Sequence, residues 1–376
     1  MNEMSNRDRF VSLMEYKPVD RIPNHEVGVW AQTIDRWRTE GLATGEYEWN
    51  WFVGDPKWDM DHREYLPIDF GLIPGFEEQI IEETERYIIK RHASGIVTKA
   101  LKEGAVGNSR SCMDQYLSFP VESENDFEKL RKRLIPDISL RYPKDWLEKI
   151  DGWNNRSHVL VMSRNCGTKG FFWRAREWMG TENLCYAWYD MPGLMNEMME
   201  FIADFTIELS KPILEKISPD YIFINEDMAM KNGPLLSPEQ YREFIFPHMR
   251  RMVDFFKSKG VRYAVVDTDG NSEPLLPLLM DAGVDAIWPM ERASQDQDPI
   301  ELRKKYGRDL RLWGGVDKRE LAKGPREIEN HLASLLPLVE QGGFIPTVDH
   351  LVPPDVSLEN FKYYMKRKQD LLRGKF

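Results

Sequence analysis

Four segments of the chain share one pattern, a short run of mostly apolar residues that stops at an acid. Tyr263-Ala264-Val265-Val266 runs into Asp267-Thr268-Asp269-Gly270-Asn271, and Tyr221-Ile222-Phe223-Ile224 into Asn225-Glu226-Asp227. Arg311 to Val316 leads to Asp317-Lys318, and Gly343 to Val348 leads to Asp349-His350. Continuous apolar, β-branched runs of this length predict parallel strands buried on both faces. An acid after each run then lies at the C-terminal edge of a sheet, where α/β folds carry their ligands. For any one segment, turn formation and helix capping are the commoner explanation of an Asp; four in one chain point to a site.

The intervening pattern is helical. Phe10, Leu13 and Met14 share a face between Asn6 and Tyr16, and Pro18 ends that helix. His25 to Trp30 reads as a first strand, with His25 either a ligand or a packed structural residue. Residues 41–110 read as an excursion beside the main fold. It contains a hairpin of Arg86–Arg91 and Ile96–Ala100 around Ala93-Ser94-Gly95, and aromatics Trp49, Trp51, Phe52, Trp58 and Phe70 that pack or line a pocket. His158 to Ser163 is another strand, followed by the polar loop Arg164–Gly170. A long helix is expected from Asp190, as N-cap, to Ile217, with Tyr186, Trp188 and Tyr189 packing just before it. Ser237-Pro238-Glu239-Gln240 is a capping box whose helix runs to Lys259, kinks at Pro247 and stops at Gly260. Ala286 to Glu291 and the helix from Pro325 to Glu340 continue the alternation. Strand, loop and helix recurring in this way predict an α/β fold, a distorted (β/α)8 TIM-type barrel in a single domain spanning 1–376. No GxGxxG follows the first strand, which disfavours a dinucleotide fold.

Composition narrows the function. The 376 residues are 41% hydrophobic with a net charge of -11, and the pI is near 5.3. That balance argues against a polyanionic partner such as nucleic acid. Cys112, Cys166 and Cys185 form no CxxC pair, and no 18-residue apolar run occurs, so a soluble cytoplasmic protein is expected.

The segments NRDRFVSLMEYKPVDRIP, EDMAMKNGPLLSPEQYREFIFPHMRRMVDFFKSKG, VDTDGN, LRLWGGVDKREL and GGFIPTVDHLVPPDVSLEN resemble the uroporphyrinogen decarboxylase superfamily. The resemblance implies a distorted TIM barrel with its active site at the C-terminal mouth, and a homodimer. It also implies one of two chemistries. The decarboxylases hold a porphyrinogen's acetate arms with an FRQAGRY-type segment after the first strand; here His25 to Thr33 carries no arginine, although His350 stands where the decarboxylases place a histidine. The other branch is the corrinoid-linked methyltransferases, including the O-demethylase components; most of those that act on thiols look to carry a zinc site of H-x-C plus a later Cys, and the matching positions here, Asp267, Asp269 and His350, depart from it at all three places and retain no cysteine. The resemblance therefore implies Asp267, Asp269, His350 and Glu226 as catalytic residues. They act either as ligands of zinc or another divalent ion, or without metal as acid, base and charge partner. Beside the resemblance, the residues themselves offer Asp227, Asn271, Asp317, Lys318, Arg164 and His25 as candidate substrate contacts, Asn271 and Asp317 being equally readable as turn residues, with Lys318 or Arg164 the nearest by topology to offset the paired carboxylates. The expected reaction moves a methyl group from a methoxylated or methylated small molecule to a corrinoid protein; the alternative is decarboxylation of a porphyrinogen-like or simpler carboxylated substrate.

Overall fold

The computed structural model describes residues 3–43, 51–103, 105–106, 109–110, 114–162 and 168–376. Seven strands form one parallel sheet in the spatial order Arg63–Tyr65, Val159–Met162, Tyr221–Asn225, Tyr263–Asp267, Ala286–Met290, Arg311–Val316 and Phe344–Val348. Thr168–Lys169 adds a short parallel pairing to Tyr221–Asn225. The sheet curls into the expected distorted TIM-type barrel, and its seam is filled by residues 24–29. Val29 bridges Val352 in parallel, Val27 O accepts from Trp51 N at 3.0 Å and Val53 O from Arg63 N at 3.1 Å.

The expected first strand, His25 to Trp30, is therefore extended backbone whose pairing among the described residues is the bridge from Val29 to Val352. Trp30 already serves as N-cap of the helix Ala31–Thr39. The 41–110 excursion also needs correction, because Arg63–Tyr65 inside it is a strand of the barrel. Three residues beginning Arg-Glu carry no apolar run, so periodicity passes over them. Trp51, Phe52 and Phe70 from the same stretch are buried in the core, while Trp49 lies outside the described residues. The predicted hairpin is present as Tyr87–Arg91 and Val97–Leu101, widened by Gln79–Glu83 and Gln115–Ser118 into a four-stranded antiparallel sheet.

Helices cover the barrel and begin where the sequence supplies caps. Ser237 and Gln240 form the reciprocal capping box, Asp298 caps Pro299–Tyr306 and Asp317 caps Lys318–Lys323. Gly260, at φ +86°, ends the helix Phe246–Ser258 in a conformation that L side chains rarely adopt. The long helix is Pro192–Leu214, and its N-cap is Met191, not Asp190, which instead ends Thr181–Asp190. Trp188 packs as expected, whereas Tyr186 and Tyr189 are 62% and 72% exposed. Both lie on the outer face of a short helix whose inner face needs only Leu184, Ala187 and Trp188. Among the described residues no helix is long and apolar enough to cross a membrane.

Inside the barrel, Phe52, Phe223 and Trp288 meet with ring centroids 5.4 to 6.3 Å apart. This aromatic layer fills the interior, so chemistry is confined to the strand ends above it. Tyr221 through Asn225 run in register with Tyr263 through Asp267, which brings the acids after both strands to one level.

Candidate active site

Asp267 is the last residue of its strand and is 8% exposed. Its backbone carbonyl accepts from Glu226 N at 2.7 Å, and Thr268 Oγ1 accepts from Met228 N at 3.0 Å. These bonds knit the loop after Asn225 to the loop after Asp267. Asp227, held at φ +40°, is thereby placed where its carboxylate feels both Asp267 and Asp269. His350 Nε2 lies 3.4 Å from Asp269 Oδ2. Four of the residues singled out from sequence, Asp227, Asp267, Asp269 and His350, thus converge at the mouth.

Their electrostatics differ. Burial, reinforced by the charges of Asp269 and Asp227, pushes the Asp267 carboxyl well above the ordinary range and favours its protonated form. Burial also raises Asp227, with Asp269 adding to the effect and Arg176 opposing it. For His350, burial favours the neutral ring, but the hydrogen bond and charge of Asp269 outweigh it and raise the pKa. Arg176 both pairs with the Asp227 carboxylate and donates to its carbonyl at 3.2 Å.

A second cluster adjoins the first. Asp349 is fully buried, accepts from Arg292 N at 2.8 Å and from Lys318 N at 3.1 Å, and so ties together the loops after three consecutive strands. Lys318 Nζ sits 2.8 Å from Glu291 and 3.6 Å from Asp349. Burial lifts Asp349 to about 6 despite Lys318 and the two backbone donors. Trp30 stacks on His350 with centroids 5.8 Å apart and is 37% exposed. Sequence reasoning took His350 and passed over its neighbour Asp349, although the acid at this strand end was in view. It also missed Arg176, Glu291 and Trp30. Trp30 could have been found, since it follows a strand-like run as the acids do.

The remaining sequence candidates are placed elsewhere. Glu226 turns away from the mouth and accepts from Phe171 N at 3.0 Å and Phe172 N at 2.7 Å, capping the helix Phe171–Met179. A Cβ at Gly170 would fall 2.3 Å from the Glu226 carboxyl carbon, so only glycine fits there. Burial raises Glu226 to about 7 against those backbone donors. Asn271 accepts from Glu273 N at 3.1 Å as a turn residue. Asp317 caps its helix and pairs with Arg319. His25 stacks on Trp313 and touches Phe10, which packs against Tyr221 and Tyr263, the first residues of their strands; it belongs to the opposite end of the barrel. Arg164 lies outside the described residues. Among those described, no three His, Cys, Asp or Glu side chains come close enough together to hold a metal ion. Asp267, Asp269 and His350 do not form a ready cage.

The family model described as Uroporphyrinogen decarboxylase (URO-D) matches residues 175–370, just over half of the chain, and that span contains both acidic clusters. The chain is 23% identical over 385 residues to the uroporphyrinogen decarboxylase of Hydrogenovibrio crunogenus, covering 99% of this chain and 98% of that one. It is 26% identical over 262 residues to that of Chlorobaculum tepidum, covering 65% and 69%. Its fold is similar to that of a methyltransferase from Methanosarcina mazei, with TM-score 0.55 and 14% identity across 98% and 99% of the two chains.

Proposed function

The chain belongs to the uroporphyrinogen decarboxylase (URO-D) family, and from that premise we propose that it is an enzyme moving a methyl group from a methoxylated or methylated small molecule to a corrinoid protein. The observation that carries this reading is Asp267, a carboxyl buried at the strand end beside two other carboxylates, where burial and their charges favour its protonated form. Among the described residues, four basic groups near the strand ends are already engaged: Arg176 with Asp227, Arg292 with Asp298, Lys318 with Glu291 and Arg319 with Asp317. A substrate bearing many carboxylates needs several cations of its own, and these four are committed.

Breaking a methyl–oxygen bond leaves electrons on oxygen, and that oxygen needs a proton. Asp267 holds one at the mouth and gives it to the leaving oxygen as the methyl group passes to the acceptor's nucleophile. The corrinoid carried by the partner supplies that nucleophile. Asp269 and His350, more exposed than Asp267, return the proton from solvent. Asp349 holds the surrounding loops through its backbone bonds.

Decarboxylation is the second reading, favoured by the name of the curated relatives at 23% and 26% identity; there the Asp267 proton would go to the carbanion carbon. Two assays separate them. One follows methyl loss from methoxylated and methylated compounds to reduced cobalamin by its visible spectrum. The other follows uroporphyrinogen by chromatography. Turnover in the first alone supports methyl transfer, and turnover in the second alone replaces it. In either case Asp267→Asn should cut the rate by roughly 10² to 10⁴ while leaving the unfolding midpoint unchanged or higher. A rate close to wild type would remove Asp267 from the mechanism. Elemental mass spectrometry on the same samples tests for zinc or another divalent ion; a stoichiometric ion lost in the variant would require a metal-assisted step instead.

A further inference from the structure

Trp30 serves neither the helix it begins nor the core. It is the N-cap of Ala31–Thr39 and makes no side-chain capping bond, at a position where Ser, Thr, Asn or Asp would satisfy a free backbone N–H. It is also 37% exposed, so a large apolar surface is only partly withdrawn from water. The backbone that carries it is nevertheless fixed. Trp30 N donates to Val352 O at 3.2 Å, and Thr33 N and Ile34 N donate to Trp30 O at 3.0 and 3.2 Å. Thr33 Oγ1 donates to the same Val352 carbonyl at 2.8 Å. Residues that break a local rule without a structural gain collect at functional sites.

The indole meets His350 with ring centroids 5.8 Å apart and planes at 29°. Rings in contact at that separation are offset, so His350 covers only part of the indole face, and the rest stays open at the mouth. Around it the bases are already spoken for. Arg176 pairs with Asp227, Lys318 is shared by Glu291 and Asp349, and His350 meets Asp269, while no ion pair reaches Asp267 among the described residues. A ligand bearing a carboxylate would add to this acidic excess with no free cation among the described residues to meet it.

Given methyl transfer, on which this inference rests, we propose that the open indole face is the wall against which an uncharged methoxylated aromatic ring stacks, so that Trp30 selects aryl methyl ethers without a carboxylate. A ring of that kind gains more against an indole than its buried area alone supplies. It also suits the chemistry. As the methyl–oxygen bond breaks, its electron pair stays on the ring oxygen and the methyl group goes to the nucleophile on the corrinoid carrier. The Asp267 proton then completes a phenol and leaves Asp267 a carboxylate. A phenol's pKa is about 10, against about 15.7 for water, so an oxygen on a ring leaves more readily than one without such conjugation.

Binding to the full chain, measured by calorimetry with no corrinoid present, separates this inference from the reaction. Methoxybenzene should bind, para-methoxybenzoate about tenfold more weakly or worse, and Trp30→Ala should weaken methoxybenzene about tenfold while Trp30→Phe restores it. By NMR, the ring protons of methoxybenzene should contact the Trp30 indole, assigned through Trp30→Phe; that contact decides if Trp30→Ala does not fold. No binding of methoxybenzene, equal binding of the benzoate, or binding unchanged in Trp30→Ala overturns the inference. It does so even if an aliphatic methyl donor turns over with cobalamin, and methyl transfer then stands without the ring wall. Trp30-dependent binding with no methyl passed to cobalamin keeps the wall and overturns the methyl-transfer reading beneath it.

Discussion

The two ends of the barrel bury the same kinds of charged residue to opposite effect. At the base, Asp61 accepts from both terminal nitrogens of Arg21, Nη1 and Nη2, at 2.7 Å, from Arg9 at 3.2 Å and from Asn24 N at 2.8 Å. Asp20 receives Arg9 through two nitrogens, and this hydrogen bonding outweighs burial to hold its carboxyl far below the usual range. At the mouth, Asp267, Asp269 and Asp227 face one another, and Asp267 rises instead. Burial acts in the same direction at both ends. What separates a carboxylate held ionised from one pushed toward its protonated form here is whether its neighbours are arginines or mainly other acids.

If that contrast is correct, removing a charge should cost stability at the base and not at the mouth. Asp61→Asn leaves Arg21 buried without its carboxylate and should lower the unfolding free energy by about 3–5 kcal/mol, read from urea denaturation. A loss under about 1 kcal/mol, on the scale of an exposed ion pair, would mean that the base network is dispensable. Glu226 offers a second, somewhat smaller effect. Its pKa is about 7 in the folded chain against an ordinary value of 4.5, so between those values the folded state binds the proton more tightly than the unfolded one. Stability from this group therefore falls as pH rises from about 4.5 to 7, by up to about 3 kcal/mol. Glu226→Gln keeps the backbone acceptor and should be less pH-sensitive than wild type across that window. Parallel curves for the two proteins would show that Glu226 stays ionised on its helix.

The contrast was only half legible in the sequence. Asp267 and Asp269 could be placed at the mouth because an apolar run fixes where the strand ends, and the acids follow two residues apart. Arg63 and Glu26 could not be placed, since a three-residue strand and a lone extended segment give no period to read, and their partners lie as far away as Lys368. The choice between Asp349 and His350 was beyond reach for another reason. They are neighbours, and which one turns inward depends on backbone donors from Arg292 and Lys318 on two other loops. Glu226 was placed with the catalytic acids because it also follows a strand; the helix that claims it begins at Phe171, more than fifty residues earlier.

The smallest test sits within the mouth itself. If the hydrogen bond and charge of Asp269 are what raise the His350 pKa, Asp269→Asn should lower it, because burial would then act unopposed. The sign extends to stability. With its folded pKa above the ordinary 6.5, wild-type His350 contributes stability that is fully present below about 6.5 and lost as pH rises through the folded value; the variant should lose that contribution. An imidazole titration followed by NMR, with His350→Asn to assign the resonance, measures the shift without any substrate. An unmoved pKa would show that Trp30 and the loops around Asp349 set the charge on His350, and the proton path from solvent to Asp267 would then have to bypass Asp269.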